Sequence, residues 1–169
     1  MFDPTAFDNM KVVIEGALYD RDIKGDIIIT DRNDVINLAK MSRLFDLSFR
    51  LQDGISMAKV ELNSPLINLA AELLPSVQTE QHAGCYVKLQ FLLEQEKAPD
   101  YVLLKNILLD IWGESRDISL VSQSHPLDGD KKSITILKVE FGRLITEDHM
   151  EDLVEMINFM ITTLVRFDD

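Results

Sequence analysis

The last part of the chain carries apolar side chains at helical spacing, and this feature constrains the fold most. The side chains that share one helix face are Met150, Leu153, Val154, Ile157, Ile161 and Leu164. Residues three and four apart lie on the same side of a helix, so the pattern predicts a helix over residues 146–167 with one buried stripe. Thr146 is a suitable N-cap, and Glu147 and Asp148 complement the helix dipole in the first turn.

A second apolar row lies beside this stripe. Its members are Met156, Met160, Thr163 and Phe167, with Phe159 further round the helix. The combined arc is wider than packing on one sheet requires, and methionines suit adaptable contact surfaces. Either another element of this chain covers the row or a second protein does. For the second case we predict Met156, Met160 and Phe167 as partner-binding residues.

Alternating apolar and polar residues predict the strands of an antiparallel sheet. The predicted strands are 11–18, 26–30, 46–52, 55–62, 85–93, 117–122 and 133–141. Asp53-Gly54 predicts a hairpin between the third and fourth of them. Helices are predicted near residues 34–45, 65–74 and 99–113. We therefore expect a single α+β domain, residues 1–169, with helices packed on an antiparallel sheet.

Two segments of the chain are similar to each other. Residues 55–62 (ISMAKVEL) and 134–141 (ITILKVEF) are identical at four of eight positions, and both change hydrophobic phase midway. A phase change is typical of a β-bulge. The flanks suggest two β-α-β-β-α units, 11–74 and 85–167, joined by a polar linker at 75–84. The pattern fits a tandem duplication, or two hairpins that converged on similar alternation.

The charge balance excludes some partners. Seventeen Lys and Arg stand against 29 Asp and Glu, a net charge of −12. This argues against binding nucleic acid and against an anionic membrane surface. We expect no secretory signal, because no cation precedes an apolar run near Met1, and no apolar run is long enough to cross a bilayer. With the single cysteine, Cys85, these features predict a cytoplasmic protein.

No motif identifies a reaction. The segment Asp20–Asp31 is similar to the start of a calcium loop, but Lys24 occupies a ligand position and the twelfth position lacks glutamate. His149 and Asp152 are three residues apart, which is a common coincidence on an acidic helix. Cys85 is in phase with Val87 and Leu89, as expected for a buried inert thiol. We predict no catalytic, cofactor-binding or metal-binding residues and no cofactor.

An acidic cluster occupies the start of the last helix. It comprises Glu147, Asp148, Glu151, Asp152 and Glu155. These side chains form either a solvated helix face or a docking patch for a basic partner.

From residue 34 the predicted order is α-β-β, a short helix, then β-α-β-β-α. Without the short helix, this order resembles the type III secretion chaperone-like fold, which includes the YbjN-type proteins. The ending, ILKVEFGRLITEDHMEDLVEMINFMITTLVRF, resembles their closing strand, Thr-Glu-initiated helix and terminal aromatic residue. The resemblance covers residues 34–167 and carries no signature residues. It implies a protein that binds other proteins, often as a dimer, without catalytic machinery.

The function expected from these observations is a non-enzymatic protein-binding or chaperone-like module, with homodimerisation as one form of association. Two alternatives stay open. One is a small-ligand protein or enzyme with a pocket between the two units. The other is a structural homo-oligomer.

Overall fold

The computed structural model of the chain describes residues 5–73, 80–127 and 132–169. In this part of the chain the protein is α+β, as predicted, with a six-stranded antiparallel sheet and four α-helices. The helices are α1 (Ala6–Lys24), α2 (Leu66–Leu73), α3 (Tyr101–Trp112) and α4 (Met150–Asp168). The strands are β1 (Ile27–Asn37), β2 (Ser42–Leu51), β3 (Met57–Ser64), β4 (Tyr86–Gln95), β5 (Asp117–Ser124) and β6 (Ser133–Glu140). None of the helices in these ranges is both long and apolar enough to cross a bilayer.

The sheet has the strand order β1-β2-β3-β4-β6-β5, and every neighbouring pair is antiparallel. One face carries the core, formed by alternate side chains of the four central strands and the inner faces of α1, α3 and α4. Its largest fully buried members include Phe7, Phe45, Phe49, Phe91, Met10, Ile14, Leu18, Leu47, Leu62 and Leu89. Burial of each such side chain stabilises the fold by about 1.5–3 kcal/mol before chain entropy is subtracted.

The predicted strand at residues 11–18 is wrong, because this segment lies inside α1. Val12, Val13 and Ile14 favour strand locally. The side chains that the fold buries are instead Phe7, Met10, Ile14 and Leu18, spaced by one helical turn. Thr5 caps the helix by accepting a hydrogen bond from the Asp8 amide, and Gly25 ends it in the left-handed conformation at φ 81°.

The predicted helix at residues 34–45 is also wrong, because these residues form the β1–β2 hairpin. Asn37 sets the turn, where its side-chain oxygen accepts hydrogen bonds from the amides of Ala39 and Lys40. Met41 completes the turn at φ 51°. The first predicted unit therefore has the order α-β-β-β-α, whereas the second, 85–167, has the predicted order β-α-β-β-α. The first half of the predicted linker, residues 75–79, lies outside the described residues.

The phase changes in β3 and β6 do not produce bulges. The registers of β3 with β4 and of β4 with β6 run without a shift. Met57, Leu92 and Ile136 instead form an apolar row on the second face of the sheet. The strands therefore carry apolar side chains on both faces without a bulge. Ile55 precedes β3 and is exposed. The register shift that the structure does show lies in β1, between Ile29 and Asp31.

The link between α1 and the hairpin is ionic. Arg43 donates from Nε and Nη2 to the two carboxylate oxygens of Asp34, at 3.0 and 2.8 Å, and from Nη1 to Asp8 at 2.8 Å. Lys11 of α1 also donates to Asp34, at 2.6 Å. These partners hold the pKa of Asp34 down at about 2, from an ordinary 3.8. The same hydrogen bond to Asp34 raises the pKa of Arg43.

Candidate functional site

The predicted partner-binding row is covered by this chain. Met160 and Thr163 are fully buried, Met156 is 6% exposed, and Phe167 packs edge-on against Phe91 with ring centroids 5.7 Å apart. The sheet and α3 provide the cover, so these side chains belong to the core. Of the two alternatives for the row, cover by another element of the chain is the one found. Met156, Met160 and Phe167 therefore do not form an exposed surface.

A cleft opens beside this row, between the end of α3 and the first half of α4. Its volume is about 250 Å³. Its lining comes from α3, the loop that follows it, the end of β6 with residues 141–145, and α4. The lining residues are Val87, Ile111, Trp112, Arg116, Phe141, Arg143, Ile145, His149, Asp152, Leu153, Glu155, Met156 and Phe159. We call it the Trp112 cleft.

Aromatic side chains define the floor of the Trp112 cleft. Trp112 meets Phe141 and Phe159 edge-on, with ring centroids 6.2 and 5.8 Å apart. Its indole N–H donates to Thr163 Oγ1 at 3.1 Å, and that hydroxyl donates to the Phe159 carbonyl at 2.7 Å. The buried polar atoms of the floor are thus paired, and the indole is held in one orientation. The floor is a rigid apolar surface for a ligand group.

Two arginines are among the lining residues of the cleft. Arg116 follows α3, and its guanidinium lies over the Phe141 ring, 4.5 Å from the ring centroid. Its Nε is buried without a hydrogen-bond partner. Arg143 is exposed on the loop after β6. Neither arginine makes an ion pair with a side chain in the described ranges, unlike Arg21, Arg32, Arg43 and Arg166, which all do.

The start of α4 contributes two carboxylates to the lining of the cleft. Asp152 and Glu155 are exposed there, beside His149. The Nδ1 of His149 accepts from the Thr146 amide at 3.1 Å, so a neutral ring carries its proton on Nε2. Thr146 and His149 together form a capping box at the start of the helix, as the predicted cap requires. The lining of the cleft thus combines two arginines, two carboxylates and an aromatic floor.

A second, more open groove lies at the far end of the sheet. It has a volume of about 410 Å³ and is lined by Val35, Asn37, Lys40, Ser42, Leu44, Asn63, Pro65 and Leu66. Its lining holds one charged group, Lys40, and no aromatic side chain. The Trp112 cleft is the stronger candidate because it combines an apolar floor with several convergent polar groups.

The other residues singled out in the sequence fall in separate places. Cys85 is buried as predicted, and burial raises the pKa of its thiol to about 12. Asp20–Asp31 covers the end of α1 and the start of β1 and is not one continuous loop. His149 and Asp152 both reach the cleft, whereas no cluster of three metal-ligating side chains occurs in the described ranges.

A half-buried carboxyl outside the cleft is Glu72, on α2. Its Oε1 accepts from the Phe7 amide at 3.1 Å, at the start of α1, while its Oε2 is buried without a partner. Burial raises the pKa of Glu72, and the nearby charges of Asp8 and Glu147 add to that shift. This group joins α2 to α1 and lies outside the Trp112 cleft.

The cleft does not lie between the two predicted units, because all of its lining residues fall within the second one, 85–167. Sequence reasoning missed Trp112, Arg116, Phe141 and Arg143, which come from separate elements. The one available signal was the single tryptophan of the chain, placed at the end of a predicted helix. Comparison with protein-family models, with curated proteins and with solved structures finds no match to this chain, so its function is argued from its own residues.

Proposed function

We propose that this chain is a non-enzymatic protein-binding module of the chaperone-like kind, and that the Trp112 cleft is its binding site. The observation that carries the proposal is an open apolar cleft beside an acidic helix face. Trp112, Phe141 and Phe159 line the cleft and offer a preformed surface for one apolar side chain of a partner. Aromatic pockets of this kind supply most of the affinity of many protein interfaces.

The charges around the cleft favour a basic partner segment. Glu151, Asp152 and Glu155 are exposed on α4, and the chain has a net charge of −12. Electrostatic complementarity of this kind speeds association and selects among partners. The lining includes no serine, cysteine or lysine nucleophile, which favours binding over group transfer. We propose the cytoplasm as the compartment, since the chain has a single cysteine and so cannot form an internal disulfide.

The order of elements also supports this proposal. With α2 and β1 set aside, the chain runs α-β-β-β-α-β-β-α, with α1 as the first helix in place of the predicted helix at 34–45. That is the order on which the resemblance to the type III secretion chaperone-like fold rests. The resemblance stays a prediction.

The test is capture of partners from the lysate of the native host by the full chain and by two matched variants. Phe159→Ser removes an aromatic wall of the cleft, where Phe159 is 40% exposed. Val165→Ser changes an equally exposed residue of the same helix, 43% exposed and outside the cleft. We expect a partner that the unchanged chain and Val165→Ser retain and Phe159→Ser loses, with cross-links to residues around the cleft. Equal capture by all three folded proteins would reject the cleft as the binding site.

A self-associating chain is the second candidate, and β5 is the observation that favours it. β5 is an edge strand with no charged residue after Asp117, and Leu120 and Val121 are 37% and 44% exposed. The opposite edge, β1, carries Asp31, Arg32 and Asp34 together with its register shift, features that block edge pairing. A second copy could pair with β5 antiparallel about a two-fold axis.

Light scattering over a range of concentrations tests this second candidate. A dimer that Val121→Lys abolishes and Val35→Lys retains would place the contact at β5, because Val35 is a similarly exposed residue of β1. A monomeric mass at all concentrations would reject it.

A further inference from the structure

We infer that the Trp112 cleft captures the carboxyl-terminal residue of a peptide chain, whose apolar side chain enters the cleft while its free carboxylate binds Arg116 and Arg143. This inference rests on the proposed function and names the chemistry of the partner. It follows from the size of the cleft, from its two arginines and from the arrangement of charge around it.

The size of the cleft limits the occupant. Its volume of about 250 Å³ is below the range of about 300–1,000 Å³ that is typical of sites for whole cofactors and drug-sized ligands. One large apolar side chain with its carboxylate is a suitable size. The aromatic floor around Trp112 favours Leu, Met or an aromatic residue at that position.

The arginines specify an anion. In a chain with a net charge of −12, Arg116 and Arg143 line one cleft without an ion pair to any side chain in the described ranges. The buried Nε of Arg116 also lacks an acceptor. A buried donor without a partner is unfavourable, and a carboxylate in the cleft would supply an acceptor. The planar guanidinium also matches a carboxylate through paired hydrogen bonds.

The acidic side of the cleft selects among anions. Asp152 and Glu155 line the same cleft, so they would repel a phosphate with two negative charges more than a single carboxylate. A single carboxylate bound to the arginines carries one negative charge and is repelled less. Lysines or arginines upstream in the peptide would lie next to the acidic residues of α4. An internal segment of a partner carries no backbone carboxylate, so its main chain would offer the arginines only neutral carbonyl acceptors. A basic segment that ends in an apolar residue satisfies all of these groups.

The probe is a set of peptides that share one lysine-containing stretch and carry each standard amino acid at the last position. Each peptide is made as the free acid and as the terminal amide. Binding to the full chain is measured by fluorescence anisotropy and by the emission of Trp112, the single tryptophan of the chain. We expect free acids ending in Leu, Met or Phe to bind about tenfold or more tighter than their amides, since a hydrogen bond to a charged group is commonly worth that much.

Variants locate the carboxylate. Arg116→Gln and Arg143→Gln should bring the affinity for the acid down to that for the amide and leave the amide unchanged. Arg166→Gln is the matched control, because it removes the same charge from α4, where Arg166 pairs with Asp110 outside the cleft. Thermal unfolding confirms that each variant is folded. If Arg116→Gln lowers the stability by removing the guanidinium from the Phe141 ring, Arg143→Gln still tests the proposal, because Arg143 is exposed.

Three other outcomes would overturn the inference. Equal binding of acid and amide, with dependence on the last side chain, would leave the cleft a side-chain pocket and the proposed function intact. Equal binding of N-acetyl-leucine and the whole peptide would make the ligand a small carboxylate. If no peptide binds, and if the Phe159→Ser variant still captures the partner of the unchanged chain, this inference and the proposed site are both overturned.

Discussion

Asp34 of β1 binds Lys11 of α1 and Arg43 of β2, and its replacement by asparagine measures the strength of these two links. The carboxylate accepts two hydrogen bonds from Arg43 and one from Lys11. Asp34→Asn keeps the size and shape of the side chain but removes its charge. We therefore expect the hairpin to be held less firmly to the helix, and the free energy of unfolding to fall.

The pKa of Asp34 sets the size of the effect. A value of about 2, down from an ordinary 3.8, corresponds to an upper limit of about 2.5 kcal/mol of stabilisation at neutral pH. The side chain is 29% exposed, so solvent screens part of this interaction. We expect a loss of about 1 kcal/mol in the free energy of unfolding near pH 7.

The sign of the pH dependence follows from the lowered pKa. Stabilisation by an acid whose pKa falls on folding is complete above its unfolded value, near 3.8, and is lost as the pH falls through the folded value. Urea unfolding, followed by Trp112 emission from about pH 7 to about pH 2, should show the two proteins converging at the acid end. Asp31→Asn is the control, because Asp31 lies on the same strand without an ion pair in the described ranges. A difference that persists near pH 2, or an equal loss in the control, would refute the reasoning.

Two further predictions test the packing. Met160→Ala should lower the free energy of unfolding by about 2–5 kcal/mol in urea denaturation, because Met160 is fully buried. Val154→Ala is the control, because Val154 is 43% exposed on the same helix, and it should change the free energy of unfolding by less than about 0.5 kcal/mol. Equal small effects would show that the row beside the Trp112 cleft is not core. Burial raises the pKa of Glu72, so stability from its protonated form is present at acid pH and is lost as the pH rises through that value. Glu72→Gln should therefore gain stability relative to the unchanged chain between about pH 4 and about pH 7 in the same denaturation assay, and a relative loss would contradict this account.

Several elements could be predicted from the sequence because their patterns are local. The alternation of Phe45, Leu47 and Phe49 in β2, and the spacing of Leu153, Ile157 and Leu164 in α4, repeat at the period of the backbone itself. Val154 of the predicted stripe is exposed instead. The apolar face of such an element is buried regardless of which element packs against it. These patterns determined the fold class and most of the second half of the chain.

The errors occurred where local preference and tertiary packing disagree. Val12, Val13 and Ile14 favour strand in isolation, yet residues 6–24 form a helix because Phe7, Met10, Ile14 and Leu18 pack together against the sheet. In α4 the burial of Met156 and Met160 depends on cover from outside the helix, which periodicity along one element cannot reveal. This is why the sequence did not predict that Met156 and Met160 are covered by the chain itself.

Tertiary structure alone decided the candidate site. Trp112 ends α3, Arg116 follows it, Phe141 follows β6 and Phe159 lies on α4, so no sequence spacing joins them. They meet because α3 and α4 pack on the same face of the sheet near the end of β6. The periodic pattern of each helix or strand largely determines which of its residues are buried. The packing of distant elements determines which polar side chains line a common cleft without a hydrogen-bond or ion-pair partner.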